Sequence, residues 1–313
     1  MALVSCIIPV HNVKVAYLSS TLNDLRKQKF QDFEIIVVDD ASTDEECIQY
    51  LRALEINPKI KVIWSKVTHA EKPHGAGFPR NIGLKAATGE YVAFIDADDF
   101  MHPDYLQTLV DMFRKNPGLE IAVINHARWF EKINTYEMNQ KMLISPGVIN
   151  CNNWPRVIEV NGSMWARMCL RSFISRPELL SLEDVDYQED MCWWMIVCSK
   201  ATKILVEQSY IYYYYRIRDE TGKEHPVEKK ETSIRTFFNG SREVWERIKN
   251  DNSYISNNFK LLYDNAFVFK MKYVLSFGLK NNDELNLLRN DPRIKPTLDA
   301  VDKYIAEFIN KRD

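Results

Sequence analysis

No Cys-x-x-Cys pair occurs in this chain. Its six cysteines (Cys6, Cys47, Cys151, Cys169, Cys192 and Cys198) are scattered, which excludes the spacing of a zinc site or a disulfide framework and fits a reducing compartment. Long apolar runs are missing as well. The richest stretch, LLYDNAFVFKMKYVLSFGL at 261–279, is interrupted by Asp264, Asn265, Lys270 and Lys272, short of the roughly 18 apolar residues a membrane-spanning helix requires. A basic excess is absent too. The formal net charge is −2, whereas nucleic-acid binders are strongly positive, so no nucleic-acid partner is expected. Met1 leads directly into the strand-like LVSCIIPV, without a basic n-region and cleavage site, so the expectation is a cytoplasmic protein with no secretory signal. The glycine-rich GAGFPRNIGLKAATGEY at 75–91 lacks both G-x-G-x-x-G spacing and the GK[ST] of a P-loop, so generic phosphate motifs fail.

What is present is an ordinary globular composition, 313 residues of which 46% are hydrophobic, enough for one large domain with or without an appendage. Strand-like runs at 4–10, 33–40, 59–65, 91–96 and 121–130 alternate with helix-like stretches at 16–28, 43–54, 79–87 and 103–115. This order predicts an α/β fold, a mostly parallel, Rossmann-like sheet flanked by helices, with ligands at the carboxyl ends of its strands. The acids fall there. Asp39 and Asp40 end the second strand, and Asp96, Asp98 and Asp99 end the fourth, YVAFIDADDF.

Three aspartates within four positions repel one another unless something positive compensates them. A hard divalent cation, Mn²⁺ or Mg²⁺, suits such an Asp-x-Asp and is commonly shared with substrate phosphates. One aspartate alone reads equally well as a cap for the helix near Pro103, whereas the cluster favours a cation. VVDDAS at 37–42 decides nothing by itself, because paired acids also serve as caps and Thr43 and Asp44 compete for that role. Arg80, near a helix start, reads either as a phosphate partner or as a surface residue. Trp193 and Trp194 stand beside Asp190, as sugar-stacking faces or as core.

Taken together, CIIPVHN (6–12), FEIIVVDDASTD (33–44), PRNIGLKAATGEYVAFIDADD (79–99) and YQEDMCWW (187–194) resemble family 2 glycosyltransferases of the GT-A fold. The resemblance is strong over 1–125, returns at MWARMCLRSFI (164–174) and YYYYRIR (212–218), and is essentially absent from the C-terminal helices. It implies an inverting, metal-dependent transfer from a UDP-sugar to a carbohydrate or lipid-linked saccharide acceptor, in polysaccharide or glycoconjugate synthesis. It also implies that Pro9, His11 and Asn12 line the nucleotide pocket, that Asp40 bonds the uracil, and that Arg80 lies near the nucleotide. Asp98 would be the direct metal ligand and Asp96 a ribose or metal-shell contact. Asp190 would be the catalytic base, Arg216 or Arg218 would meet the diphosphate, and Trp193 or Trp194 would stack on the acceptor. His11 departs from the Tyr usual at its position, and Phe78-Pro79 from the usual small residues.

The expected organisation is a GT-A domain over 1–220, with a donor half at 1–100 and an acceptor half at 101–220, followed by a helical region at 221–313. Those C-terminal helices are expected to pack on their own domain. A homodimer through them, or peripheral contact with the inner face of a membrane, is the alternative. Two other functions compete: a nucleotide-sugar-binding protein without catalysis, and a DxD phosphatase. A phosphatase of that kind normally carries its DxD strand near the chain start and follows the acids with a small hydroxyl residue, where this chain has Phe100.

Overall fold

The computed structural model describes residues 2–65, 75–138, 147–149, 162–183, 185 and 188–217, and, further on, 236, 239–240, 243–244, 246–251 and 253. Its first strands are those the apolar runs predicted: β1 (Val4–Val10), β2 (Phe33–Asp39), β3 (Ile60–Trp64) and β4 (Tyr91–Phe94). They lie parallel in the order β3-β2-β1-β4, with Val4 opposite Phe33 and Val10 opposite Asp39. Strand β1 is covered on both faces. Along it Cys6, Ile8 and Val10 enter one apolar cluster while Ile7 enters the other, the two-residue period of a central strand.

The helices sort by cluster. Helices α1 (Val15–Arg26), α2 (Glu45–Leu54) and α4 (Tyr105–Lys115) bury Leu18, Leu51 and Leu109 in one. Helix α3 (Gly77–Ala86) buries Leu84 in the other. Helix α2 starts later than periodicity alone predicts because Asp44 is its cap, accepting from the Cys47 N–H at 2.8 Å. Helix α3 starts earlier, at Gly77, where no side chain fits: a Cβ would lie 2.0 Å from the Leu182 carbonyl oxygen.

The second half of the sheet is mixed. Short β5 (Phe100–Met101) precedes β6 (Ile121–Phe130), which pairs antiparallel with β7 (Thr135–Met138). After β8 (Gly147–Ile149) comes β9 (Arg167–Leu170), which lies antiparallel between β4 and β6. Short α5 (Arg171–Ile174) leads on to α6 (Glu189–Lys200), and β10 (Ile204–Ile217) runs parallel to β6.

Trp193 and Trp194 on α6 are 1% and 0% exposed, at the centre of the second cluster. The Trp193 indole N–H donates to the Leu179 carbonyl at 2.9 Å, and the Arg167 guanidinium lies 4.1 Å from the Trp194 ring centre. The acceptor-stacking role expected of both is therefore corrected: they are core residues, with no face left for a sugar.

Val244 and Ile248 are buried in the same cluster as α6, and Asp251 pairs with Lys200 at 2.5 Å. The expected boundary at 220, the helices from 254 onward, and the dimer and membrane readings attached to them lie outside the described residues. Among the described residues no helix is long and apolar enough to cross a membrane.

Candidate active site

Strand order reverses between β1 and β4, and ligands of open α/β sheets settle at the carboxyl ends of strands beside such a point. A cleft of about 350 Å³ opens there. Pro9, His11, Asp40, Arg80, Asp96 and Asp98, all nominated from the sequence, line it together with Glu189. Asn12 is not in that wall. Its backbone is left-handed (φ 49°), and its side-chain oxygen accepts from the N–H groups of Thr43 and Asp44 at 2.7 and 2.8 Å. That correction has a clear physical reason: Asn12 ties the loop after β1 to the start of α2, one step behind the cleft. His11 is placed by the same loop. Its Nδ1 lies 2.6 Å from the Asp40 carbonyl, which can only accept, so Nδ1 carries the proton and Nε2 is left to accept from the Asn12 amide at 3.1 Å.

The three aspartates after β4 have three different environments. Asp96 pairs with Arg80 at 2.9 Å. Asp99 is fully buried, accepting from the Tyr213 hydroxyl at 2.8 Å and the Arg216 backbone N–H at 2.9 Å. Those two bonds hold β10 to the strand end, while burial, then repulsion by Asp96 and Asp98, pushes the Asp99 carboxyl well above the usual range. Asp98 is partly exposed at the cleft wall.

Arg80 is 3% exposed and doubly engaged: Nη2 donates to Asp96 and Nη1 to Glu189, each at 2.9 Å. Burial alone would lower its pKa, but Asp96, Glu189 and Asp190 raise it, so the guanidinium stays charged. Glu189 is pushed up to about 7, first by burial and next by the Asp190 charge, with Arg80 opposing both. Asp190 is half-buried in the first turn of α6 and accepts from the Met191 N–H at 2.7 Å. It is not among the cleft-lining residues, although the Glu189 beside it is.

Arg216 is also corrected. Its Nε donates to the Asp98 carbonyl at 2.6 Å and its Nη1 to Glu131 at 3.1 Å, while its guanidinium lies 4.6 Å from the Tyr17 ring centre and 5.0 Å from that of Phe100. Only 11% of the side chain is exposed. It braces the backbone of the acidic strand end and is not held ready for a diphosphate. Arg218 lies outside the described residues. Sequence reasoning missed Tyr213 and Glu131 as partners in this bracing, because nothing local marks a contact across more than 80 residues.

Among the residues lining the cleft, four carboxylates (Asp40, Asp96, Asp98 and Glu189) face one arginine that is already paired twice. Among the described residues no three His, Cys, Asp or Glu side chains converge as a closed metal cage. Two adjacent aspartates on an open wall fit a cation that draws its remaining oxygens from phosphate and water, as Mg²⁺ and Mn²⁺ do.

The fold defines the class: a mixed α/β sheet with an acidic cleft at the strand reversal, in the GT-A arrangement. A crystal structure of residues 1–349 of S. aureus TarS in complex with UDP-GlcNAc shares it at a TM-score of 0.68, with 21% identity over 95% of this chain and 78% of that one. The profile of Glycosyl transferase family 2 matches residues 5–173, and the chain belongs to that family. The putative glycosyltransferase EpsH of Bacillus subtilis (strain 168) is 34% identical over 128 residues, 41% of this chain and 35% of EpsH. TarS of Staphylococcus aureus (strain Mu50), a poly(ribitol-phosphate) beta-N-acetylglucosaminyltransferase, is 37% identical over 105 residues, 33% of this chain and 17% of TarS. The chain spans about a third of the length of the curated relatives it matches.

Proposed function

We propose that this chain is an inverting glycosyltransferase that moves a sugar from a UDP-sugar to a hydroxyl of a carbohydrate or lipid-linked saccharide, in polysaccharide or glycoconjugate assembly. The observation that carries this is the charge of the cleft. An anionic donor entering beside Asp40, Asp96, Asp98 and Glu189 meets Arg80 already engaged by Asp96 and Glu189, which favours its arriving with Mn²⁺ or Mg²⁺. Asp98, with Asp96 beside it, would hold the cation, which would supply neutralisation of the leaving diphosphate. Solved structures of TarS with UDP and with UDP-GlcNAc support the donor class.

The chain's own residues do the rest. Asp40, 2% exposed at the foot of the cleft, accepts from the uracil N–H. Pro9 and His11 form the wall beside it. Asp190 takes the proton of the acceptor hydroxyl as the sugar is transferred, the work of a general base. The phosphatase alternative does not survive the family assignment, and the non-catalytic binder is separated by turnover.

The test is calorimetry of UDP with Mn²⁺ or with EDTA, followed by turnover of a panel of UDP-sugars by the wild type and Asp190→Asn. UDP binding is expected to require the metal. Asp190→Asn is expected to keep UDP affinity while turnover falls by about 10²-fold or more, the scale of a lost general base. Equal UDP affinity in EDTA would remove the metal from this account, and undiminished turnover by the variant would move the base elsewhere.

A further inference from the structure

The first turn of α6 carries Asp190, and its own capping is poor. The residue before it, Gln188, is left-handed (φ 60°, ψ 29°), and no side chain caps the helix start. The body of the helix is anchored further along by Trp193 and Trp194 in the core. Among the described residues Glu189 ties the first turn to the rest of the site, its carboxylate accepting from Nη1 of Arg80 at 2.9 Å. The other arm of that guanidinium holds Asp96 on the strand end. The guanidinium is planar and 3% exposed, so the two arms cannot swing independently. A second contact runs the same way: Gly77, at the start of the helix that bears Arg80, packs on the backbone of Leu182, a few residues before α6.

We infer that Glu189 is a positioning residue. Through Arg80 it fixes the start of α6, and hence Asp190, relative to the strand that carries the donor-side acids. This rests on the transferase reading above. It assigns Glu189 neither proton transfer nor donor binding, although it lines the cleft. Its work is done through Asp190, whose alignment with the acceptor oxygen sets the rate, since small misplacements of a reacting group cost about 10²-fold.

Two variants separate the roles. Glu189→Ala removes the tether, whereas Glu189→Gln keeps a carbonyl oxygen that can accept from Arg80 but has no basic carboxylate. With UDP-GlcNAc and the other UDP-sugars of the panel as donors and Mn²⁺ present, Glu189→Ala is expected to lose roughly 10- to 100-fold in kcat, with donor KM and the UDP dissociation constant no higher than about twofold wild type. The amides of Trp193, Trp194 and Met195, which bond to the first-turn carbonyls, are expected to exchange hydrogen about fivefold faster or more. Glu189→Gln is expected to recover most of both effects. Equal inactivity of the Ala and Gln variants would make Glu189 itself the base and overturn the inference. So would a rise in the UDP dissociation constant of Glu189→Ala, or wild-type kcat and exchange in that variant. A wild type that turns over no UDP-sugar sinks the transferase reading, and the exchange rates still decide whether Glu189 holds the helix.

Discussion

Replacing Arg80 by Met keeps much of the aliphatic stem and deletes the charge between two acids. In the folded protein Asp96 and Glu189 each lie 2.9 Å from the guanidinium, with side chains 26% and 16% exposed. Removing one partner of a buried ion pair leaves the other uncompensated, at about 3–5 kcal/mol, a large share of the roughly 5–15 kcal/mol that holds a domain folded. The loss should depend on pH, and its sign follows from the acids. Burial already raises Asp96 and, with Asp190, raises Glu189 to about 7. Without Arg80 both rise further. A carboxyl whose folded pKa lies above its unfolded value binds more protons when folded, so its contribution is favourable at low pH and is lost as pH rises through the folded value. Urea unfolding of Arg80→Met and wild type at pH 8 and pH 5.5 is the assay, with the full deficit expected at pH 8 and a much smaller one at pH 5.5. A variant within about 1 kcal/mol of wild type at pH 8, or one with the same deficit at both pH values, would refute the reasoning.

Two further outcomes follow from the scaffold. His126 is 3% exposed, and burial first, then Arg128 and Arg167, lowers its pKa to about 3, so the folded state resists the proton that the unfolded state accepts. Stability should fall as pH drops from 6.5 toward 3, by about 2 kcal/mol between pH 8 and pH 5 from this residue alone; a His126→Gln variant should lack that component, and parallel pH curves for the two proteins would count against it. Gly77→Ala places a Cβ 2.0 Å from the Leu182 carbonyl oxygen, an overlap that backbone must relieve at about 1–3 kcal/mol, read as a lowered urea midpoint; an unchanged midpoint would mean that the two segments separate freely.

Most of the first half of the fold was legible because its elements are long and strongly periodic. The runs ending at Val10, Asp39 and Phe94 are mostly buried and the one ending at Trp64 partly so, and such apolar runs read as strands. The strands that escaped notice are the short ones. Two-residue β5 and four-residue β9 exist because Tyr213–Tyr214 and the edge of β4 offer unpaired backbone groups, and a partner that distant leaves no local pattern.

The site divides differently, by the sign of the charge. Asp40, Asp96 and Asp98 line one cleft because a strand's end is set by its apolar run, and the sheet brings such ends together whatever else surrounds them. Arg80 and Arg216, which the family resemblance sets near the nucleotide and its diphosphate, are each committed to internal acceptors: Asp96 and Glu189 for one, Glu131 and the Asp98 carbonyl for the other. This asymmetry has a physical cause. Crowded carboxylates on a low-dielectric edge would raise one another's pKa without compensation, so the nearest guanidinium groups are drawn in to hold the acids in place. Among the described residues Arg80 and Arg216 are spent on this architecture, which is why the proposed function brings the donor in together with a cation.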